Sequence, residues 1–153
     1  MVTRTGGSRR FTGRVVLVTG GGAGIGRACG QRLAAEGARV ALADLDAESA
    51  QRTAAELDDA HRSTGGHLAV RMDVTDRTSV DAAVTGVVDQ TGHLDVLVAV
   101  AGGDLPHPDL EHTDDEVWRA MLELNLLGAV RACRAAIPTS AAPVARRSSW
   151  SAR

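Results

Sequence analysis

At 153 residues, with 44% apolar and 24% charged side chains, the chain is long enough for one domain with a real core and too apolar to be disordered. A net charge of -2 gives no footprint for nucleic acid or an anionic membrane, and no apolar run reaches the length of a membrane span. Apart from histidine every basic residue is arginine, and the chain contains neither lysine nor tyrosine.

Residues 1–11 carry Arg4, Arg9 and Arg10 without a signal-like apolar core behind them, and are expected to be a disordered leader. With no address in the sequence, the expected compartment is the cytoplasm. Arg14 to Thr19 predicts a first strand. It feeds Thr19-Gly-Gly-Gly-Ala-Gly-Ile-Gly26, a glycine loop that opens a helical pattern at Ile25. In such a loop Gly20 takes a tight turn at positive φ, Gly24 lets backbone approach a phosphate, and Gly26 permits close helix-to-strand packing. The free N–H groups at the helix N-terminus then face the anion. Gly37 stops this helix.

Arg39 to Ala43 predicts the second strand, followed at once by Asp44. That acid lies roughly 20 residues beyond the loop, where a dinucleotide fold places the carboxylate that accepts from the adenosine ribose hydroxyls. Asp46 caps a helix over Ala47 to His61, and the Ser63 to Gly66 cluster ends it. His67 to Val74 reads as a third strand, and Arg77 to Gln90 as a third helix closed by Gly92. Leu94 to Ala101 is a near-continuous apolar run, the pattern of a parallel strand buried on both faces.

Thr113 with Glu116 predicts a capping box for a last helix reaching about Ala136, and Pro138 ends the pattern. The alternation of strands and helices predicts an α/β fold, a parallel sheet with helices on both faces in three α/β/α layers, incomplete on its C-terminal side. Residues 12–138 form that domain and 139–153 an irregular tail. His107 and His112 near Asp104, Asp109 and Asp114 lack metal-ligand spacing and read as a solvated loop, so no metal site is expected. Cys29 and Cys133 show neither metal nor redox spacing and read as reduced thiols. Trp118 reads as core or subunit-contact surface.

The glycine loop with Arg27-Ala28, then Asp44, Asp73-Val74, Leu94-Asp-Val-Leu-Val98 and Asn125-Leu-Leu-Gly128, together resemble the short-chain dehydrogenase/reductase family over about Thr12 to Pro138. The resemblance implies a Rossmann fold and hydride transfer between a nicotinamide dinucleotide and a small alcohol or ketone. It places Gly20, Gly24, Ile25 and Gly26 at the pyrophosphate, Asp44 on the adenosine ribose, Asp73 at the adenine amino group and Val74 against the ring. It also places Ala101 and Gly102 near the nicotinamide, and makes Asn125 the helix asparagine that fixes a water in a proton relay. From the residues alone, Asp73 reads rather as a strand-end turn or helix cap, and Asn125 as a solvent-facing helix residue.

Two departures stand out. Ala99-Val100 replaces the two asparagines that the family usually shows before Ala-Gly. The family's catalytic serine, and its tyrosine and lysine four residues apart, have no counterparts before the chain ends. Ser148, Ser149 and Ser151 fall near the serine's spacing, but Ala145-Arg146-Arg147 ahead of them is no buried strand.

Three readings follow: an NAD-dependent oxidoreductase by family, here its cofactor half without dehydrogenase activity; a nucleotide-binding or interaction module without chemistry; and, least favoured, an S-adenosylmethionine-dependent methyltransferase. Asp44, with no arginine after it and Ala23 in the loop, predicts NAD rather than NADP. The apolar strand at Leu94 to Ala101 predicts self-association or a homo-oligomer. The tail can also be out of frame: permitted codons for Pro143 to Arg153, read from each third base, give Gly-Gly-Ala-Ser-Ile-Val-Val-Val-Ser-Ala, which resembles the family's fifth strand and serine.

Overall fold

The computed structural model describes residues 9–61, 63, 65–106 and 109–139. The leader residues 1–8, His107 and the serines of the tail lie outside the described residues. Four parallel strands form one sheet: β1 (Val15–Thr19), β2 (Arg39–Asp44), β3 (Leu68–Arg71) and β4 (Val96–Ala99), in the spatial order β3-β2-β1-β4. Between them run α1 (Gly24–Ala35), α2 (Ala47–Ala60) and α3 (Arg77–Thr91), and after β4 come α4 (Asp115–Leu122), a π-turn (Glu123–Leu127) and α5 (Gly128–Ala136).

The period of two along β1 and β2 builds the layers. Val16, Val18, Val40 and Leu42 point to one face, where Ala34 of α1 and Ala50, Ala54 and Leu57 of α2 cover them. Val15, Leu17, Ala41 and Ala43 point to the other and meet Val80, Val84 and Val87 of α3 and Ala136 of α5. Both central strands are therefore apolar between their ends, over Val15–Val18 and Val40–Ala43, as burial on two faces requires. Each fully buried valine or leucine contributes about 1.5–3 kcal/mol. The expected three-layer α/β/α arrangement is what the chain forms.

The helix ends follow local chemistry. Asp46 caps α2 by accepting from the N–H groups of Glu48 and Ser49, and Gly92 closes α3 at φ +85°. The capping box expected at Thr113 does not form. Asp114 caps α4 instead, accepting from Glu116 and Val117, while the Thr113 hydroxyl donates to the Asp109 carbonyl. A carboxylate one residue nearer the first turn reaches its free N–H groups directly.

Two expected strands are shorter than their apolar runs. β3 starts only at Leu68, because His67 bonds elsewhere: its N–H donates to Asp58, its Nδ1 accepts from Val40 N–H and its Nε2 reaches the His61 carbonyl. β4 is not buried on both faces. Among the described residues it pairs with β1 alone, and its residues are half-buried to exposed.

The sheet order places the site. From β1 the chain winds outward through β2 and β3, then crosses back to lay β4 on the other side of β1. Loops leaving the carboxyl ends of β1 and β4 diverge there, which opens a crevice at the switch point.

Candidate functional site

At that switch point lies a cleft of about 490 Å³, within the range of small-molecule and cofactor sites. Gly20, Gly24, Ile25, Gly26, Asp44, Asp73, Val74, Ala101 and Gly102 all line it, with Ala23, Leu45, Met72, Val100 and Leu124. Nine of the ten site residues expected from sequence thus meet in one cavity. Asn125 stands behind the loop that forms its far wall.

The glycine loop owes its shape to two close contacts. Gly20 has φ +69°, and a Cβ there would come within 3.0 Å of Ala101 backbone. Gly26 is buried in the first turn of α1, where a Cβ would stand 2.0 Å from the Gly20 carbonyl oxygen. Gly24, at φ +52°, differs: a Cβ there would meet nothing, so its backbone faces open space that a ligand can enter. Ile25 beside it is exposed.

Asp44 ends β2 with both carboxylate oxygens engaged at one edge. Oδ2 accepts from Gly22 N–H at 2.9 Å and Oδ1 from Asp46 N–H at 3.1 Å. A carboxylate has about four acceptor positions, so the outward ones stay open to hydroxyl donors. Asp73 follows β3 and folds into a turn, its Oδ1 accepting from the Thr75 hydroxyl at 2.7 Å and the Thr75 N–H at 2.9 Å. Those bonds, aided by Arg71, hold its carboxyl below the usual carboxylate range. Val74 is buried, and Gly128 lets α5 sit close upon it, since a Cβ at Gly128 would be 2.9 Å from Val74 Cγ2.

Asn125 lies in the π-turn, and every polar atom of its amide is in use. Oδ1 accepts from Gly103 N–H at 2.9 Å, while Nδ2 donates to the Gly103 carbonyl at 2.9 Å and the Met121 carbonyl at 3.0 Å. The side chain is therefore a brace for the loop after β4. Gly102 must be glycine for that brace to close, because a Cβ would fall 2.5 Å from Asn125 Oδ1.

Sequence reasoning missed three hydroxyls that hold the site. Thr19, buried at the end of β1, accepts from the N–H groups of Val100 and Ala101. Ser49 and Thr53 on α2 both donate to the Gly22 carbonyl. A usable signal existed, since a hydroxyl ending an apolar strand or lining a buried helix face must find a partner. Among the described residues no group of three or more His, Cys, Asp or Glu side chains is placed to hold a metal ion, and no helix is long and apolar enough to cross a membrane.

A protein-family model described as short chain dehydrogenase matches residues 14–146. Similar curated proteins include "Granaticin polyketide synthase putative ketoacyl reductase 2" of Streptomyces violaceoruber, 42% identical over 127 residues covering 81% of this chain and 48% of that protein. D-threitol dehydrogenase of Mycolicibacterium smegmatis is 39% identical over 126 residues, covering 82% and 47%. A solved short chain dehydrogenase from Mycobacterium smegmatis superimposes with a TM-score of 0.81 at 34% identity, covering 90% of this chain and 56% of that one. The chain spans about half the length of the curated relatives it matches.

Proposed function

We propose, for a chain that belongs to the short-chain dehydrogenase family, that the cleft binds NAD, with the adenosine ribose on Asp44 and the pyrophosphate over Gly24. The observation that carries this reading is the pairing of an open glycine backbone at Gly24 with the remaining acceptor positions of the Asp44 carboxylate in one cleft. The residues present fit the group: a free backbone for a dianion at a helix start, acceptors for two hydroxyls, and apolar Val74 beside Asp73 for a base. When bound, the nicotinamide supplies a two-electron hydride acceptor for a small alcohol, or the donor for a ketone.

The preference for NAD rests on charge. Asp44 repels a 2′-phosphate, like charges in contact cost on the order of several kcal/mol, and neither Ala23 nor Leu45 offers a cation to offset it. Asp73 recognises the adenine amino group with its ionised carboxylate. Asn125 acts by fixing the Gly102–Gly103 peptide next to the nicotinamide end.

The 153 residues on their own are a cofactor-binding unit. With no tyrosine and no lysine in the sequence, they hold no phenol and ammonium pair to exchange the alcohol proton. Calorimetric titration with NAD, NADP and S-adenosylmethionine tests the reading. NAD is expected to bind, NADP at least tenfold more weakly, and S-adenosylmethionine not at all; NADP binding as tight as NAD overturns it. Steady NADH formation from a secondary alcohol by this chain alone would overturn the cofactor-unit reading.

A further inference from the structure

We infer that Ser49 and Thr53 of α2 are positioning residues that set the selectivity of the cleft for NAD over NADP, by locking the Gly22 backbone that aims the Asp44 carboxylate. The inference rests on the NAD reading above. Gly22 is buried, and its two backbone groups, the N–H of the Gly21–Gly22 peptide and the carbonyl of the Gly22–Ala23 peptide, are held from two elements at once. On one side its N–H donates to Asp44 Oδ2 at 2.9 Å, from the end of β2. On the other its carbonyl accepts from Ser49 Oγ at 2.9 Å and Thr53 Oγ1 at 3.1 Å, one turn apart on α2. Two hydroxyls occupy both lone pairs of that carbonyl.

The loop could not hold this residue alone. Gly21, Gly22 and Gly24 give the backbone wide conformational freedom, and Gly22 in particular can turn about both φ and ψ. The carbonyl is buried, so a flipped peptide would lose both hydroxyls without gaining water. With that carbonyl released, Gly22 is free to turn about φ as well, and its N–H, in the neighbouring Gly21–Gly22 peptide across the shared Cα, loses its aim at Asp44 Oδ2, which leaves the carboxylate held by Asp46 N–H at 3.1 Å and free to swing from the ribose position. The side chains of α2 thus act through Gly22 on a carboxylate they do not touch. Gly22 itself cannot vary, since a Cβ there would lie 2.9 Å from both Asp44 Oδ2 and Ser49 Oγ.

The test compares the 153-residue chain with Ser49→Ala, Thr53→Val, their combination and Thr53→Ser. Calorimetry with NAD and NADP gives both dissociation constants, and amide exchange by NMR reads Gly22 N–H without any cofactor. The double variant is expected to bind NAD about tenfold more weakly, the size expected when one hydrogen bond to a charged group is lost. NADP binding should change less, so the selectivity ratio falls. Gly22 should exchange faster, and Thr53→Ser, which keeps a hydroxyl, should retain the original values.

An unchanged ratio and unchanged Gly22 exchange in a folded double variant overturns the clamp while leaving the NAD reading intact. Equal loss of affinity for both cofactors overturns it also, as that is the mark of general destabilisation. If the double variant does not fold, Ser49→Ala, at a half-buried position, decides by the same two readouts. Absence of any NAD preference in the unaltered chain removes the NAD reading and the clamp together.

Discussion

Thr19 Oγ1 accepts the backbone N–H groups of both Val100 and Ala101, each at 3.1 Å, so the residue that ends β1 also holds the turn that follows β4. At the opposite end of the same strand pair, Asp95 accepts from Val15 N–H at 2.8 Å and from Arg14 at 2.8 Å. The β1–β4 register is pinned by side chains at both ends, and the upper pin belongs to the cleft. Replacing Thr19 with valine keeps the shape but strands two N–H groups. Since an unsatisfied buried donor costs about 1–3 kcal/mol, Thr19→Val should lose about 2 kcal/mol in urea unfolding, with weaker NAD binding. Unchanged stability would mean that water replaces the hydroxyl.

The glycines of the loop should separate into two kinds. Gly26→Ala puts a methyl 2.0 Å from the Gly20 carbonyl oxygen, a backbone atom that cannot step aside without moving β1. A loss of about 3 kcal/mol or more, the upper end of overpacking costs, is expected. Gly24→Ala meets no atom and carries only the left-handed backbone penalty of about 1–2 kcal/mol. Its larger effect should fall on NAD affinity, because the added methyl enters the ligand's space. Thermal unfolding and titration of both variants check the contrast; equal effects of the two on stability would contradict it.

Glu36 gives a pH dependence of known sign. Its nearly buried carboxylate takes both Oε atoms' worth of bonds from Arg10, at 2.5 and 2.8 Å, and a further bond from Arg32 at 2.5 Å. Chiefly through the Arg10 bond, against the opposing effect of burial, its pKa falls from the ordinary 4.5 to about 2. A carboxyl lowered on folding stabilises the fold above its unfolded value. That contribution is full above pH 4.5 and is lost as the pH drops toward 2. Glu36→Gln should therefore flatten the acid limb of the stability curve in that window, measured by urea unfolding across it. An acid limb identical to that of the unaltered chain would show that Arg10 and Arg32 do not act on Glu36.

Periodicity in the sequence revealed β1, β2, α2 and α3 because both the pattern and the ends were local: Asp46 and Gly92 act on neighbours in the chain. The site residues after each strand were legible for the same reason, since glycine at Gly20 and Gly26 answers a steric demand visible as spacing. What could not be read depends on partners far along the chain. Ser49 and Thr53 signal only that hydroxyls on a helix face need a partner; that the partner is the Gly22 carbonyl shows once the sheet brings it beneath them. The exposure of β4 is equally nonlocal: Val96–Ala99 reads as a buried strand, yet burial depends on having a second neighbour. The π-turn at Glu123–Leu127 has no signature in the apolar pattern and shows itself in the backbone, where Gly128 N–H reaches back five residues to the Glu123 carbonyl.

Self-association should be carried by the last helical segment. Trp118, Leu122, Leu126 and Val130 recur every four residues along α4, the π-turn and α5, and all four are exposed, by 46%, 54%, 55% and 40%. Each of these side chains is already about half covered, so burying the remainder gains roughly half of the 1.5–3 kcal/mol of full burial, and two copies joined along this stripe recover several kcal/mol before the cost of association. The free edge of β4 is the rival surface, offering open N–H and C=O groups along only four residues. The stripe is longer and more apolar, and the prediction is that it dominates. Sedimentation velocity over a range of concentrations should show a species larger than a monomer, and Leu122→Glu with Leu126→Glu should convert it to monomer without loss of the folded spectrum. Association that survives both substitutions would move the contact to the edge of β4, and a monomer in the unaltered chain at every concentration would remove it altogether.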